Sequence, residues 1–159
     1  MEILLRKAGE EDLAEILAIQ KKAFLVQAQK YDAYDIPPMV EEASDIDLSD
    51  ENLSVIVALV SGRIAGSIRL LRDGQSAEIK RLSVSDEWQN MGIGRRLMEE
   101  IEKHTEGISR LWLFTGGQSE KNIALYEKMG YRIYKEEPFK DEFTLVYMEK
   151  GIRQVSDNG

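Results

Sequence analysis

Ser76–Thr105 reads SAEIKRLSVSDEWQNMGIGRRLMEEIEKHT, a strand, a turn and a helix in thirty residues. The opening is a strand, with apolar residues at Ile79, Leu82 and Val84. Its period-2 pattern slips by one residue between 79 and 82, as a β-bulge would make it, and bulges often lie beside active sites because they re-aim groups and interrupt pairing. The closing part is an amphipathic helix. Ile93, Leu97, Met98 and Ile101 share one face, and Glu99, Glu100, Glu102 and Lys103 share the other. Between strand and helix lies a short polar turn, Gln89-Asn90-Met91-Gly92-Ile93-Gly94-Arg95-Arg96.

The start of a helix leaves its first N–H groups without internal partners and carries a partial positive charge. Glycines at 92 and 94 remove the Cβ atoms that would keep a ligand from those amides, and Arg95 and Arg96 add positive charge in the first turn. The arrangement suits a phosphate or diphosphate. A P-loop, G-x-x-x-x-G-K-S/T, has no match in the chain, and a G-x-G-x-x-G fingerprint fails because Leu97 follows Gly94 by three. What remains is Q-x-x-G-x-G after a strand, which resembles the acyl-CoA pyrophosphate loop of the GNAT superfamily of N-acetyltransferases. Gln89, Gly92 and Gly94 fit that family's Q/R-x-x-G-x-G/A signature, while Asn90 and Met91 stand where relatives often carry Gly and a basic residue.

Composition bounds the alternatives. A chain of 159 residues, 43% of them hydrophobic, is the size of one domain with a substantial core. We expect a single domain over residues 1–150 and a polar tail over 151–159. No apolar run approaches the roughly 20 residues of a membrane span, and the N-terminus lacks a signal-peptide pattern, so a cytoplasmic protein is expected. Zero cysteines exclude disulfides, thiol catalysis and thiolate metal sites; one histidine, His104, excludes a multi-His zinc site, and no metal is expected. His104 is placed near the end of the central helix, in a structural or solvated role. The 21 basic against 29 acidic residues give a net charge of −8, which disfavours nucleic acid or an anionic membrane as partner.

In chain order, Ile3-Leu4-Leu5 is a short strand, and Gly9-Glu10-Glu11-Asp12 opens a helix whose spacing of Leu13, Ile16, Leu17, Gln20 and Phe24 carries it to about Gln29. From Tyr31 to Asn52 the chain is acidic, with Asp32, Asp35, Glu41, Glu42, Asp45, Asp47, Asp50 and Glu51 and no basic residue. Pro37-Pro38 stops a helix from passing through, and Met39 to Ala43 reads as one short turn. Ser54 to Val60 and Arg63 to Arg72 form a hairpin about Ser61-Gly62, and Asp73-Gly74 is a two-residue turn into the central strand. Leu111-Trp112-Leu113-Phe114 reads as a strand buried on both faces. Gln118 to Tyr131, QSEKNIALYEKMGY, reads as a helix capped by Ser119 and ended by Gly130. Tyr131–Glu137 and Phe143–Lys150 are the last two strands.

The phrase N-I-A-L-Y-E-K-M-G-Y resembles the GNAT family's C-terminal box, A-x-x-L-Y-x-x-x-G-F/Y. The two boxes, in this order and about thirty residues apart, extend the resemblance over Ile3 to Lys150. It implies an α+β or α/β, three-layer fold: a central mixed, mostly antiparallel twisted sheet of six to seven strands, helices on both faces, and a bulge in the central strand. It also implies acetyl-CoA as cosubstrate and a primary amine as acceptor, with direct transfer because the chain has no cysteine and no activated serine. The backbone of Leu82, Ser83 and Val84 would hold the pantetheine arm, and Gln89, Asn90, Met91, Gly92, Ile93, Gly94 and Arg95 the diphosphate. Tyr126 is the candidate general acid, since a phenol of pKa about 10 can protonate a departing thiolate; its other reading is a core aromatic. Glu78 matches a glutamate that some relatives use as general base, and equally reads as a surface side chain. Asn122 or Ser119 would touch the pantetheine. Tyr31 and Tyr34 would line the acceptor side, where the acidic segment favours a cationic small molecule. The rival readings are a non-catalytic acyl-CoA-binding or regulatory module, an acetyltransferase acting on a protein N-terminus, and a nucleotide-binding protein of another fold. A monomer and a homodimer are both compatible with the sequence.

Overall fold

Alternating apolar residues and left-handed turn positions build the sheet; amphipathic helices cover it. The computed structural model describes residues 2–140 and 143–153. The elements run β1 (Ile3–Lys7), α1 (Leu13–Lys30), α2 (Pro37–Val40), β2 (Leu53–Val60), β3 (Arg63–Asp73), β4 (Ser76–Val84), α3 (Ile93–Ile101), β5 (Arg110–Gly116), α4 (Glu120–Lys128), β6 (Arg132–Pro138) and β7 (Thr144–Gly151). The seven strands form a sheet in the order β1-β2-β3-β4-β5-β7-β6. β4 and β5 are parallel, whereas β1 with β2, β5 with β7 and β6 with β7 are antiparallel, so the sheet is mixed as expected. The chain divides into two compact units, Met1–Leu70 with Lys80–His104, and Leu71–Ile79 with Thr105–Gly159.

In the first unit, α1 buries Leu13, Ile16 and Leu17 against Ile46, Val55, Val57 and Ile64. Its entry is a 3-10 turn, Glu10–Asp12, rather than the first turn of the α-helix. Asp12 accepts from the Gly9 amide at 2.8 Å and pairs with Arg6 at 2.7 Å, which holds that tighter turn. The β2–β3 turn has both Ser61 (φ 53°) and Gly62 (φ 76°) left-handed, the type I′ geometry that matches strand twist. The predicted face of α3, Ile93, Leu97, Met98 and Ile101, is buried. Gly66 of β3 faces it: a Cβ there would lie 2.7 Å from the Ser83 carbonyl oxygen and 3.2 Å from Leu97. Arg69, of opposite parity on β3, reaches Gln20 of α1. Helices therefore flank both faces of β3 in this unit.

No helix passes through Pro37-Pro38, as expected: α1 ends at Lys30, and the prolines open a new short helix, because Pro at the first helical positions has a suitable φ and its missing N–H would have been unpaired anyway. That helix ends at Val40, Glu41 is extended, and a separate 3-10 turn covers Ala43–Asp45, so Met39 to Ala43 is not one turn. His104 lies near the end of α3, as expected, just past the last helical residue Ile101, its Nε2 3.9 Å from Glu100 Oε1.

In the second unit, the β3–β4 turn is Gly74-Gln75 rather than Asp73-Gly74. Only Gly74 is left-handed (φ 64°), whereas a type I′ turn on Asp-Gly would need both residues so. β5 is not buried on both faces. Leu111 and Leu113 are, but Phe114 is 43% exposed. The outer face is aromatic, with Phe114 and Tyr147 rings 5.3 Å apart and Trp112 stacked on Tyr147 at 6.3 Å, so a run of apolar letters hid a half-covered strand. Gly130, left-handed at φ 96°, follows the C-cap of α4 as predicted. β7 extends to Gly151, and the Ile152 amide donates to the Ser109 carbonyl. The expected tail beyond residue 153 lies outside the described residues. Among the described residues, no helix is long and apolar enough to cross a membrane.

Candidate active site

β4 changes character at Arg81. This residue is left-handed (φ 60°) inside a strand, as the slipped alternation implied. The Ser83 hydroxyl donates to the Arg81 carbonyl at 3.3 Å, and the Ser85 amide donates to the Ala65 carbonyl at 2.7 Å. Ser83 is buried, while Leu82 and Val84 are half-buried.

Beyond β4 a 3-10 turn, Asp86–Trp88, leads into the glycine loop. Gln89 closes it, its Nε2 donating to the Val84 carbonyl and to Asp86 Oδ1, both at 3.4 Å. Asn90 (φ 62°) and Gly92 (φ 81°) are both left-handed and bend the chain into α3. An added Cβ at Gly92 would meet nothing within 4 Å, so the space over the helix start is open. Gly92 is the N-cap and offers no side-chain cap. The first bond back to it comes from the Arg96 amide, at 3.0 Å, which leaves the amides of Ile93, Gly94 and Arg95 ahead of the helical ladder. Arg95 pairs with Glu99 at 3.0 Å on the surface, a contact weak enough to exchange for a ligand's charge. Met91 is exposed. Beside the loop, a cavity of about 260 Å³ lies among Ile19, Lys22, Ile64, Val84 and Trp88.

Sequence reasoning did not single out the most buried polar group of this unit. Arg69 is 4% exposed and Gln20 is fully buried. Arg69 donates to Glu41 Oε2 at 2.9 Å and to Gln20 Oε1 at 2.6 Å; Gln20 Nε2 donates to the Pro38 carbonyl at 2.9 Å and to Glu41 Oε1 at 3.0 Å. Arg81 Nε reaches the same Glu41 oxygen at 3.3 Å. Burial pushes the Glu41 carboxyl up, but the hydrogen bonds from Arg69 and Gln20 and the charges of Arg69 and Arg81 outweigh it, and its pKa falls to about 2. The signal was present: Gln20 on an apolar helix face and Arg69 between Ile68 and Leu70 each demand a buried partner.

Of the acceptor-side candidates, Tyr31 is buried and Tyr34 is 54% exposed. In the segment around them, Asp45 accepts from the Glu42 amide, Asp47 from Ser49, and Asp50 from the Asn52 amide. These partners are uncharged, whereas Glu41 is paired with arginines.

The remaining candidates belong to the second unit. Glu78 is half-buried and lies opposite Trp112 in the parallel β4–β5 register. Tyr126 is buried in α4, its ring edge-on to Tyr131 at 6.2 Å. Burial pushes its phenol up to about 12. Asn122, one turn earlier, and Ser119 at the N-cap are both half-buried. Among the described residues, no three His, Cys, Asp or Glu side chains gather as a metal site.

An irregular strand followed by a glycine-opened helix tip is one half of a known pattern; the comparisons supply the rest. The model of the acetyltransferase (GNAT) family matches residues 13–131. The chain belongs to the GNAT acetyltransferase family. It is 36% identical over 88 residues to the IAA acetyltransferase of Azospirillum brasilense, covering 53% of this chain. The chain spans 58% of that relative's length and 34% of another's. Among solved structures it resembles the ribosomal-protein-S18-alanine N-acetyltransferase of Escherichia coli, with a TM-score of 0.79, 19% identity, and coverage of 99% of this chain and 98% of that one. It also resembles the PaiA N-acetyltransferase of Thermoplasma acidophilum in complex with coenzyme A, with a TM-score of 0.74, 22% identity, and coverage of 96% and 100%. These likenesses show that the GNAT fold is shared.

Proposed function

We propose that the protein is an acetyl-CoA-dependent N-acetyltransferase that passes the acetyl group directly to the primary amine of a small cationic molecule. The single observation that carries this reading is the α3 tip, where left-handed Asn90 and Gly92 turn uncapped amides toward open space directly after an irregular strand. The residues fit the donor. The amides from Asn90 to Arg95 would hold its diphosphate, and the backbone of Leu82, Ser83 and Val84 would hold its pantetheine arm. When bound, the thioester supplies the acetyl group. An amide near Leu82 or Val84 would polarise the carbonyl being attacked. Tyr126 keeps its proton at neutral pH, the state a general acid must have before the thiolate departs. Glu78, or solvent in its place, would take the amine's proton. Asn122 or Ser119 would orient the donor. The acidic stretch around Tyr34 favours a cationic acceptor, since the described hydrogen-bond partners of Asp45, Asp47 and Asp50 are uncharged. Membrane and nucleic acid have no part in this reading, and a cytoplasmic setting is proposed with it.

Calorimetry with coenzyme A and acetyl-CoA tests the donor; thiol release across a panel of amines tests the acceptor. Micromolar uptake and turnover of polyamine-like or aminoglycoside-like amines is expected. Absence of any uptake overturns the donor assignment, and preference for neutral or anionic amines overturns the acceptor assignment.

A further inference from the structure

We propose that Glu41 is a positioning residue, whose carboxylate, shared among Arg69, Gln20 and Arg81, holds Arg81 in its left-handed conformation and so sets the path of the strand at Leu82–Val84. The inference rests on the reading of that strand as the donor's backbone partner. Glu41 lies just past α2, in a segment otherwise made of short turns. Both its oxygens are used: Oε2 by Arg69, Oε1 by Gln20 and Arg81. Its side chain is 13% exposed, and those of Arg69 and Arg81 are 5% and 12%. Gln20 adds a second tie, since it also binds the Pro38 carbonyl. The acid therefore joins α1, the α2 segment, β3 and the irregular point of β4 in one bonded cluster.

Strain explains why a pin is needed. A side-chain-bearing residue at positive φ is disfavoured relative to ordinary strand backbone, and it persists where surrounding contacts over-determine it. Relaxing Arg81 would move the Ser83 carbonyl, which already approaches Gly66 too closely for a Cβ. The next residues along are those read as facing the thioester. The donor's diphosphate, by contrast, is read as held at the α3 tip, which makes no bond to this cluster among those described. The consequence is a split: loss of Glu41 lowers kcat more than it weakens donor binding.

The test uses the full chain with Glu41→Gln, Arg81→Ala and Arg81→Gly. Glu41→Gln should lower kcat about tenfold or more while the Kd for coenzyme A rises by clearly less, because the diphosphate site at the α3 tip is untouched and only the alignment of the arm is lost. Arg81→Ala and Arg81→Gly remove the same guanidinium and differ in backbone preference alone, glycine adopting positive φ freely. The double variant Glu41→Gln/Arg81→Gly should recover most of the lost kcat, and Glu41→Gln/Arg81→Ala should not. Hydrogen exchange read by mass spectrometry should show faster exchange over residues 81–85 in Glu41→Gln and unchanged exchange in α3. Retained kcat in Glu41→Gln, equal behaviour of the Ala and Gly variants, or unchanged exchange over 81–85 overturns the inference. Should Glu41→Gln fail to fold, Arg81→Ala against Arg81→Gly still decides. If the wild-type protein takes up no coenzyme A, the donor reading falls, and the exchange comparison alone judges the role of Glu41.

Discussion

Gly66→Ala is the substitution whose effect the structure specifies most directly. Gly66 does not lie at positive φ, so an alanine there meets no backbone strain, and its cost is one of space alone. The new Cβ would sit 2.7 Å from the Ser83 carbonyl oxygen, 3.2 Å from Leu97 Cδ1 and 3.4 Å from Ile93 Cγ2. The leucine can turn aside, but the carbonyl is backbone and moves only with its strand. Overpacking of this kind costs about 1–3 kcal/mol. Restricting the unfolded chain returns about 0.4–1 kcal/mol. The net loss should be about 1–2 kcal/mol, or roughly 2–8 °C in Tm for a chain of this size. Urea and thermal unfolding followed by circular dichroism measure it. Gly62→Ala is the control, with nothing within 4 Å of its Cβ and φ at +76°, so its cost is conformational. Because Ser83 lies between the bulge and the glycine loop, Gly66→Ala should also lower kcat at temperatures where it is fully folded. A Gly66→Ala protein as stable as wild type would refute the close approach of β3 and β4 on which this reasoning rests.

Three further outcomes follow from the site. Tyr126→Phe should lower kcat about 10²-fold or more with coenzyme A affinity retained, as expected for loss of a general acid, whereas a non-catalytic binding module would be indifferent on both counts. With the phenol pushed up to about 12, no alkaline loss of kcat below about pH 10 should disappear in that variant. Gly92→Ala should weaken coenzyme A binding about tenfold, read by calorimetry, because φ of +81° then costs about 1–2 kcal/mol. Glu41 makes acid stability testable. Its folded pKa, about 2, is depressed from 4.5, so its contribution is fully present above pH 4.5 and is lost as pH falls toward 2. The stability gap between wild type and Glu41→Gln should therefore shrink by about 3 kcal/mol across that window, measured by urea unfolding at stepped pH.

What could be read from the sequence was what repeats locally. The face of α3, the Ser61-Gly62 turn, the break in β4 and the Gly130 stop all follow from neighbours a few residues apart, and all stand in the structure. The failures share another cause. Phe114 and Trp112 look like core in a linear reading, and only their lateral packing on Tyr147, with Phe114 43% exposed, shows a half-covered face. Glu41 was one acid among eight; its importance depends on Arg69 and Arg81, which are 28 and 40 residues away. No local pattern carries that pairing.

The low identity to proteins of the same fold has a physical origin in the same features. At the α3 tip and along β4 the groups proposed to meet the donor are main-chain amides and carbonyls, which every residue but proline possesses. Selection then acts on the shape of the backbone rather than on the identity of most side chains. Shape is set at a few positions: Gly66 by space, Arg81 by its ties to Glu41, Asn90 and Gly92 by left-handed φ. Between them the sequence is free to drift, so chains 19% and 22% identical to this one superpose with TM-scores of 0.79 and 0.74. Among these positions the non-glycine ones are the informative ones. A glycine reaches its conformation unaided, but Arg81 needs partners, and those partners need burial. A change at Glu41 therefore reaches β4 without touching it, and family members that place glycine at the bulge should have no need of an acid in the segment after α2.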